Sequence, residues 1–351
     1  MTSPTIADLT TLHLGGPART IVEASSTAAL VEALTACDDA GTRVLVIGGG
    51  SNLVVADEGF DGTVVRITSA ELAFGVDDGR PFVTADAGVE WDGLVAHTVA
   101  NGFGGLECLS GIPGSTGATP VQNVGAYGVE IADTLRSVQV YDRPGGRLSW
   151  VAPDALGLRY RHSNLKHRDD RIVTRVSFWL RNGAVSAPLA YRELARALGR
   201  DEGQTAEAEH VRSAVLALRR SKGMVLDADD PDTFSAGSFF TNPIISAAES
   251  AAVIAQIAVV VGPDVTIPQF PSGADLKLSA GWLIEQAGFT RGYPGAGAPV
   301  RLSTKHTLAL TNRGTGTTAD LLALAREVRD GVEARFGVRL IPEPVFVNCR
   351  L

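Results

Sequence analysis

The spacing of apolar and polar residues changes several times along the chain. TIVEA at 20–24 reads as a short apolar strand. Ser26 or Thr27 can cap a following helix whose Leu30, Val31 and Leu34 share a face, and Gly41 stops it. RVLVI at 43–47 is then a buried strand, which makes the N-terminal stretch βαβ. GGGSN comes next, followed directly by the β-branched run LVVAD. From about 61 to 180, the strands GTVVRI, PFVTAD, SVQVYD and RIVTRVSFWL alternate with glycine-rich loops and one helix near VEWDGLVAHTVANG, an α+β pattern.

Past residue 200, the polar DEGQTAEAEH predicts a surface excursion before the helix HVRSAVLALRRSKG. In SAGWLIEQAG, Ala280, Leu283, Ile284 and Ala287 recur at helical spacing with Gly288 as the stop. LLALAREVRDGVEARFG places Leu321, Ala325, Val328, Val332 and Phe336 on one face before Gly337. Both helices are expected to pack on a sheet that includes TLALTN. The longest apolar run, VIAQIAVVV at 253–261, is too short to span a bilayer, and no internal repeat is present.

With 351 residues, 45% of them hydrophobic and 20% charged, the chain is globular and long enough for two or three domains. A net charge of −8 lacks the broad positive field that nucleic-acid binding requires, so an anionic ligand must be met by local cations. Cys37, Cys108 and Cys349 are odd in number and far apart, which argues against a disulfide framework or a structural zinc and fits a reduced cytosol. The opening MTSPTIADLTTLHLGG has no basic and apolar leader pattern. The expectation is a soluble cytoplasmic protein that acts without membrane or nucleic acid.

In a dinucleotide-binding βαβ unit, the glycine loop opens a helix, whereas here a strand-forming run follows and Leu53 holds the sixth position. The glycine-rich ECLSGIPGSTGATPVQNVGAYG at 107–128 can form nests of backbone N–H groups for phosphate oxygens, or be a structural loop. The six histidines show no metal-ligand spacing, so no metal is predicted. No G-x-S-x-G elbow is present either. Arg161, between Tyr160 and His162, belongs to the basic RYRHSNLKH, which can equally be a solvated face. RRSK at 219–222 gathers positive charge ahead of AGSFFTNP and can hold a phosphate. Within AGSFFTNP, Ser238 is a lone hydroxyl in an apolar setting, either a turn serine or a proton donor. Glu343 in LIPEPV is stiffened by prolines on both sides.

Taken together, GGGSNLVVADEGFDGTVV, GIPGSTGATPVQNVGAYG, YRHS, AGSFFTNP, KLSAGWLIEQAG and LIPEPV resemble, in order and spacing, the UDP-N-acetylenolpyruvoylglucosamine reductases (the MurB family) from about residue 10 to 348. LAYRELARAL looks like the substrate-loop insertion of the type I branch. The resemblance implies an α+β fold with a two-lobed FAD-binding region of the vanillyl-alcohol-oxidase type and a C-terminal α+β substrate domain. The implied domains are 1–69, 70–222 and 223–343, with the tail 344–351 returning to the first lobe. It also implies FAD and NADPH as cofactors, UDP-N-acetylglucosamine enolpyruvate as the small-molecule substrate, and a monomer.

By the same resemblance, Arg161, Ser238 and Glu343 are catalytic, Ser238 as the proton donor. Gly48, Gly49, Gly50, Ser51 and Asn52 would contact FAD, as would Ile112, Pro113, Gly114, Gly117, Ala118, Thr119, Gln122, Gly125 and Ala126. Tyr127, Tyr191, Lys222, Asn242 and Lys277 would bind the substrate. Pro344 after Glu343, Gly223 and Met224 after Lys222, and Thr119 depart from the family's usual pattern and affect loop shape. An FAD-linked oxidase and a non-catalytic sugar-nucleotide-binding module are the alternatives. The oxidase would not need the RRSK and SFFTNP groupings.

Overall fold

The computed structural model describes residues 5–351. The chain forms two compact units, one from residues 18–50 and 60–225, the other from 5–17, 51–59 and 226–351.

In the first unit, the strands Ala18–Ala24 and Val44–Ile47 flank Phe60–Ile67 in a parallel sheet. The helix Thr27–Asp39 connects the two outer strands. It starts where expected, since Ser26 Oγ accepts the Ala29 N–H at 3.1 Å. A second sheet is antiparallel, in the order Arg147–Val151, Leu135–Asp142, Arg171–Trp179, Arg80–Asp86, Leu72–Asp77. Val65 from the first sheet and Val83, Val138 and Val176 from the second join one apolar cluster with Leu30 and Leu34. The helix Trp91–Ala100 adds Trp91 to it, edge-on to Phe178 at 5.4 Å, with its indole N–H donated to the Leu109 carbonyl at 2.9 Å. A buried indole needs such an acceptor.

The second unit is built around the helix Thr318–Phe336, whose Leu321, Ala325, Val328, Val332 and Phe336 are all buried as the spacing predicts. Thr317 and Asp320 form a reciprocal capping box at its start. Asp57 adds a carboxylate there, accepting the Thr318 and Ala319 N–H groups at 2.7 and 2.9 Å. This anchors the segment after GGGSN to the C-terminal half of the chain. The same segment forms the strand Leu53–Val55, which pairs in parallel with Val345–Val347. The helix Ala280–Gln286 and the strand pair Val300–Leu302 with Leu310–Asn312 contribute Leu283, Ile284, Leu302 and Leu310 to the same core. The run at 253–261 lies in the helix Ala247–Val261, of which Ile257 is buried and Val259 is 86% exposed. Among the described residues, no helix is long and apolar enough to cross a membrane.

Candidate active site

The strand Val44–Ile47 ends directly before Gly48, and the glycines there meet the 107–128 loop without side chains between them. A Cβ on Gly48 would lie 2.0 Å from Ser115 Oγ, and one on Gly49 would lie 2.6 Å from the Cα of Gly114. Only glycine permits that approach. The Trp91 N–H bonds the Gly114 carbonyl at 3.0 Å, while the Thr116 and Gly117 N–H groups donate to Val89 and Ala87 at 2.8 and 2.9 Å. The loop is therefore ordered by backbone bonds to the 87–91 segment. Thr119 is buried and donates its hydroxyl to the Thr116 carbonyl at 2.8 Å, whereas Ala118 is exposed. Thr116 Oγ1 is buried with no hydrogen-bond partner among the described residues. Such an orphan beside paired glycine loops fits a bound polar group.

Asn123 connects this loop to Arg161. Its side chain donates to Glu130 Oε2 at 2.7 Å and to the Arg159 carbonyl at 3.2 Å, and accepts the Ala132 N–H at 2.9 Å. Arg159 and His162 close a two-residue turn through reciprocal 3.0 Å bonds, with Tyr160 and Arg161 at its tip. From there, Arg161 Nη2 donates to the Gly125 carbonyl at 2.8 Å. The sequence assigns Asn123 no role; its place before V-G-A-Y-G is the available signal, and the structure adds a left-handed φ of +46°.

Tyr127 meets Tyr191 edge-on at 5.4 Å. Burial pushes the Tyr127 phenol up to about 12, against the pull of the nearby Arg219 charge. The RRSK cations separate in space. Lys222 pairs with Glu193 at 2.8 Å, two residues after Tyr191. Arg219 donates to the Met224 carbonyl at 2.8 Å, and its Nε has no hydrogen-bond partner among the described residues. Burial lowers its guanidinium to about 10.

In the second unit, Phe239–Thr241 runs antiparallel to Ile341–Glu343. The Glu343 N–H donates to the Phe239 carbonyl at 2.9 Å, and the Thr241 N–H to Ile341 at 2.9 Å. Ser238 thus sits one residue from the carbonyl that fixes Glu343. The Asn52 amide reaches the Glu343 carbonyl at 3.4 Å, and the Val345 N–H donates to Asn52 at 2.9 Å. Phe239 and Phe240 are buried with ring centroids 5.2 Å apart, which anchors the segment behind a half-buried Ser238. Nearby, Asn242 accepts the Ala280 N–H at 3.0 Å, and Lys277 lies opposite Ile244 in a small sheet. In the second unit the structure therefore joins Asn52 and Phe239, the residue after Ser238, to the Glu343 backbone, and places Asn242 and Lys277 on the neighbouring segments 242–245 and 275–280. In the first unit it groups Gly48 and Gly49 with Gly114, Gly125 with Arg161, and Tyr127 with Tyr191. Among the described residues, no group of three or more His, Cys, Asp or Glu could hold a metal ion.

The fold and the glycine loops define an FAD-binding protein: residues 18–152 match the FAD binding domain family. Residues 230–347 match the UDP-N-acetylenolpyruvoylglucosamine reductase C-terminal domain. The chain is 60% identical over 348 residues to UDP-N-acetylenolpyruvoylglucosamine reductase of Saccharopolyspora erythraea, covering 99% of this chain and 95% of that one. It is 59% identical over 346 residues to the protein of that name from Nocardia farcinica, covering 99% and 89%. The crystal structure of UDP-N-acetylenolpyruvylglucosamine reductase from Thermus caldophilus superposes with a TM-score of 0.64 at 26% identity, covering 98% of this chain and 97% of that one. This chain belongs to the UDP-N-acetylenolpyruvoylglucosamine reductase family. The expected α+β class with an FAD-binding region and a C-terminal domain holds.

Proposed function

We propose that the chain reduces UDP-N-acetylglucosamine enolpyruvate to UDP-N-acetylmuramate with NADPH, in peptidoglycan precursor synthesis. Bound FAD would supply hydride transfer from NADPH to the terminal carbon of the substrate's vinyl group. Gly48 to Asn52 and the loop from Ile112 to Ala126 would hold the cofactor on backbone groups, since the glycines bring the two loops together. The buried, unpartnered Thr116 hydroxyl supports that fit.

The protein's own groups manage charge and protons. As negative charge builds toward the substrate carboxylate, Arg161 supplies a fixed guanidinium, held by its bond to Gly125, and Glu343 assists it. Ser238 donates its proton to the carbon left electron-rich by hydride addition. Tyr191, Lys222, Asn242 and Lys277 hold the diphosphate, and Tyr127 contacts the sugar. In this reading the lobes are 1–69 and 70–222, 223–343 is the substrate-binding domain, and the tail 344–351 joins the first lobe. The enzyme works as a cytoplasmic monomer.

The observation that supports this proposal is the antiparallel pairing of 239–241 with 341–343, which joins the backbone of Glu343 to the residue after Ser238 in a family member. The test is NADPH consumption by the flavin-loaded protein with and without the enolpyruvyl sugar nucleotide. Strict dependence on the sugar nucleotide is expected. Equal consumption with oxygen alone would indicate an oxidase, and a colourless, inert protein a binding module.

A further inference from the structure

Glu107 carries a buried carboxylate that the chemistry above does not use. It opens the short turn Glu107–Leu109 and is fully shielded from solvent. Each oxygen accepts a different backbone N–H, Oε2 from Gly105 at 2.6 Å and Oε1 from Ala187 at 3.3 Å. The first bond is local, while the second reaches the run that leads from Ala187 to Tyr191. That run is also fixed to residues further along its own arm, through Ser186 N–H to Ala206 at 2.9 Å and Leu189 N–H to Gln204 at 2.8 Å. The Glu107 bond differs because it ties the arm to the segment that enters the glycine-rich loop. At the other end of that loop, a Cβ on Gly128 would come 2.8 Å from Ala190 Cβ, so the arm lies directly on it next to the Tyr127–Tyr191 contact.

We propose that Glu107 is a positioning residue: by holding the Ala187 N–H it seats Tyr191 against Tyr127 and so sets the affinity for the sugar-nucleotide substrate. This rests on the assignment of Tyr191 to the substrate made above. An ionised carboxylate accepts at both oxygens, whereas a protonated carboxyl or a glutamine amide presents a donor at one of them. The longer bond, to Ala187, is the one that yields. Burial pushes the Glu107 carboxyl above the usual range, and the backbone N–H groups and the Arg181 charge pull it back. The other titratable neighbour, the Cys108 thiol, is pushed up to about 12 by burial and stays neutral. A raised carboxyl makes ionised Glu107 a cost to the fold, a cost that disappears on acidification. Acid therefore weakens positioning without weakening the fold at this group.

The test uses FAD-loaded Glu107→Gln and, from the donor side, Ala187→Pro, which deletes the N–H at a position that Pro188 already holds extended. Each variant is expected to raise KM for the enolpyruvyl sugar nucleotide about tenfold with kcat within about twofold. The double variant should be no worse than Glu107→Gln alone, since both remove the same bond. KM of the parent rises as pH falls, whereas that of Glu107→Gln stays flat. Hydrogen exchange without substrate should show the amides of 189–191, and that of Ala187 in Glu107→Gln, exchanging about tenfold faster. Unchanged exchange, or KM within twofold in the folded variants, overturns the proposal, as does uniform loss of FAD and of both half-reactions. If the parent does not turn over the sugar nucleotide, the substrate assignment fails, and exchange alone still decides whether Glu107 holds the arm. Should Glu107→Gln not fold, Ala187→Pro gives the same readouts.

Discussion

Asn123, Tyr127 and Arg161 of the first unit all sit in left-handed backbone, at φ of +46°, +51° and +53°, whereas Ser238 and Glu343 of the second unit adjoin extended segments joined by regular backbone bonds. Left-handed conformations of non-glycine residues cost of order 1–3 kcal/mol and persist only when their surroundings enforce them. Here, the Asn123 side-chain bonds and the 159–162 turn do so. The first unit thus presents backbone and a guanidinium from a strained loop. The second brings the backbones at Ser238 and Glu343 close by strand pairing, which needs no strain. Loss of a single bond should accordingly disturb the first arrangement more widely, while the second should lose only the chemistry of the altered group.

The sharpest way to break this contrast is Ser238→Ala. Flavin reduction by NADPH should stay intact while reoxidation by the sugar nucleotide slows roughly a hundred- to ten-thousand-fold, as expected for loss of a general acid. Stopped-flow flavin absorbance separates the two half-reactions, and equal slowing of both would contradict the local effect. Arg161→Lys keeps the charge but loses the guanidinium geometry that reaches Gly125, so kcat should fall about a hundredfold. Gly49→Ala puts a Cβ against backbone rather than a movable side chain. A loss of about 1–3 kcal/mol and weakened FAD retention are expected, measurable by thermal melting and flavin content.

Asp92→Asn compares the units by pH. Burial pushes the Asp92 carboxyl up, but the Arg212 hydrogen bonds at 2.5 and 2.8 Å and the Gly111 N–H bring it below its usual value. In the second unit, burial likewise raises Asp232, and Thr304 and Arg313 bring it below its usual value. A lowered carboxylate stabilises the fold above its ordinary value of about 3.9, and that contribution is lost as pH falls through the folded value. Asp92→Asn should cost about 2 kcal/mol at neutral pH and flatten the acid loss of stability below about pH 4, leaving the Asp232 contribution in place. The smallest effect is expected at Val259→Asp, within about 0.5 kcal/mol, because the side chain is 86% exposed.

Helices with a clear apolar face were legible in the sequence. All five residues expected on the inner face of the last long helix are buried, and Ala280, Leu283 and Ile284 are too. The helix Ala247–Val261 was not recognised as an element, since it is apolar on most sides and offers no periodicity to read. The strand Leu53–Val55 was legible as a β-branched run, but its partner was not, because Val345–Val347 lies almost three hundred residues away. RRSK was legible as a concentration of cations. Its division between Glu193, paired with Lys222, and the buried surroundings of Arg219 was not.

By itself, the sequence determined the α+β class, the helix starts and stops, the strand after GGGSN that rules out a helical dinucleotide motif, and the residue types available for chemistry. These depend on local sterics and on periodicity, which act over a few residues. Tertiary structure alone decided that Phe239–Thr241 pairs with Ile341–Glu343, that Asn123 holds the Arg161 turn, and that Glu107 reaches Ala187. Such contacts join segments separated by 36 to about 100 residues. Their geometry follows from how whole elements bury their apolar faces, a requirement that no short stretch of chain encodes.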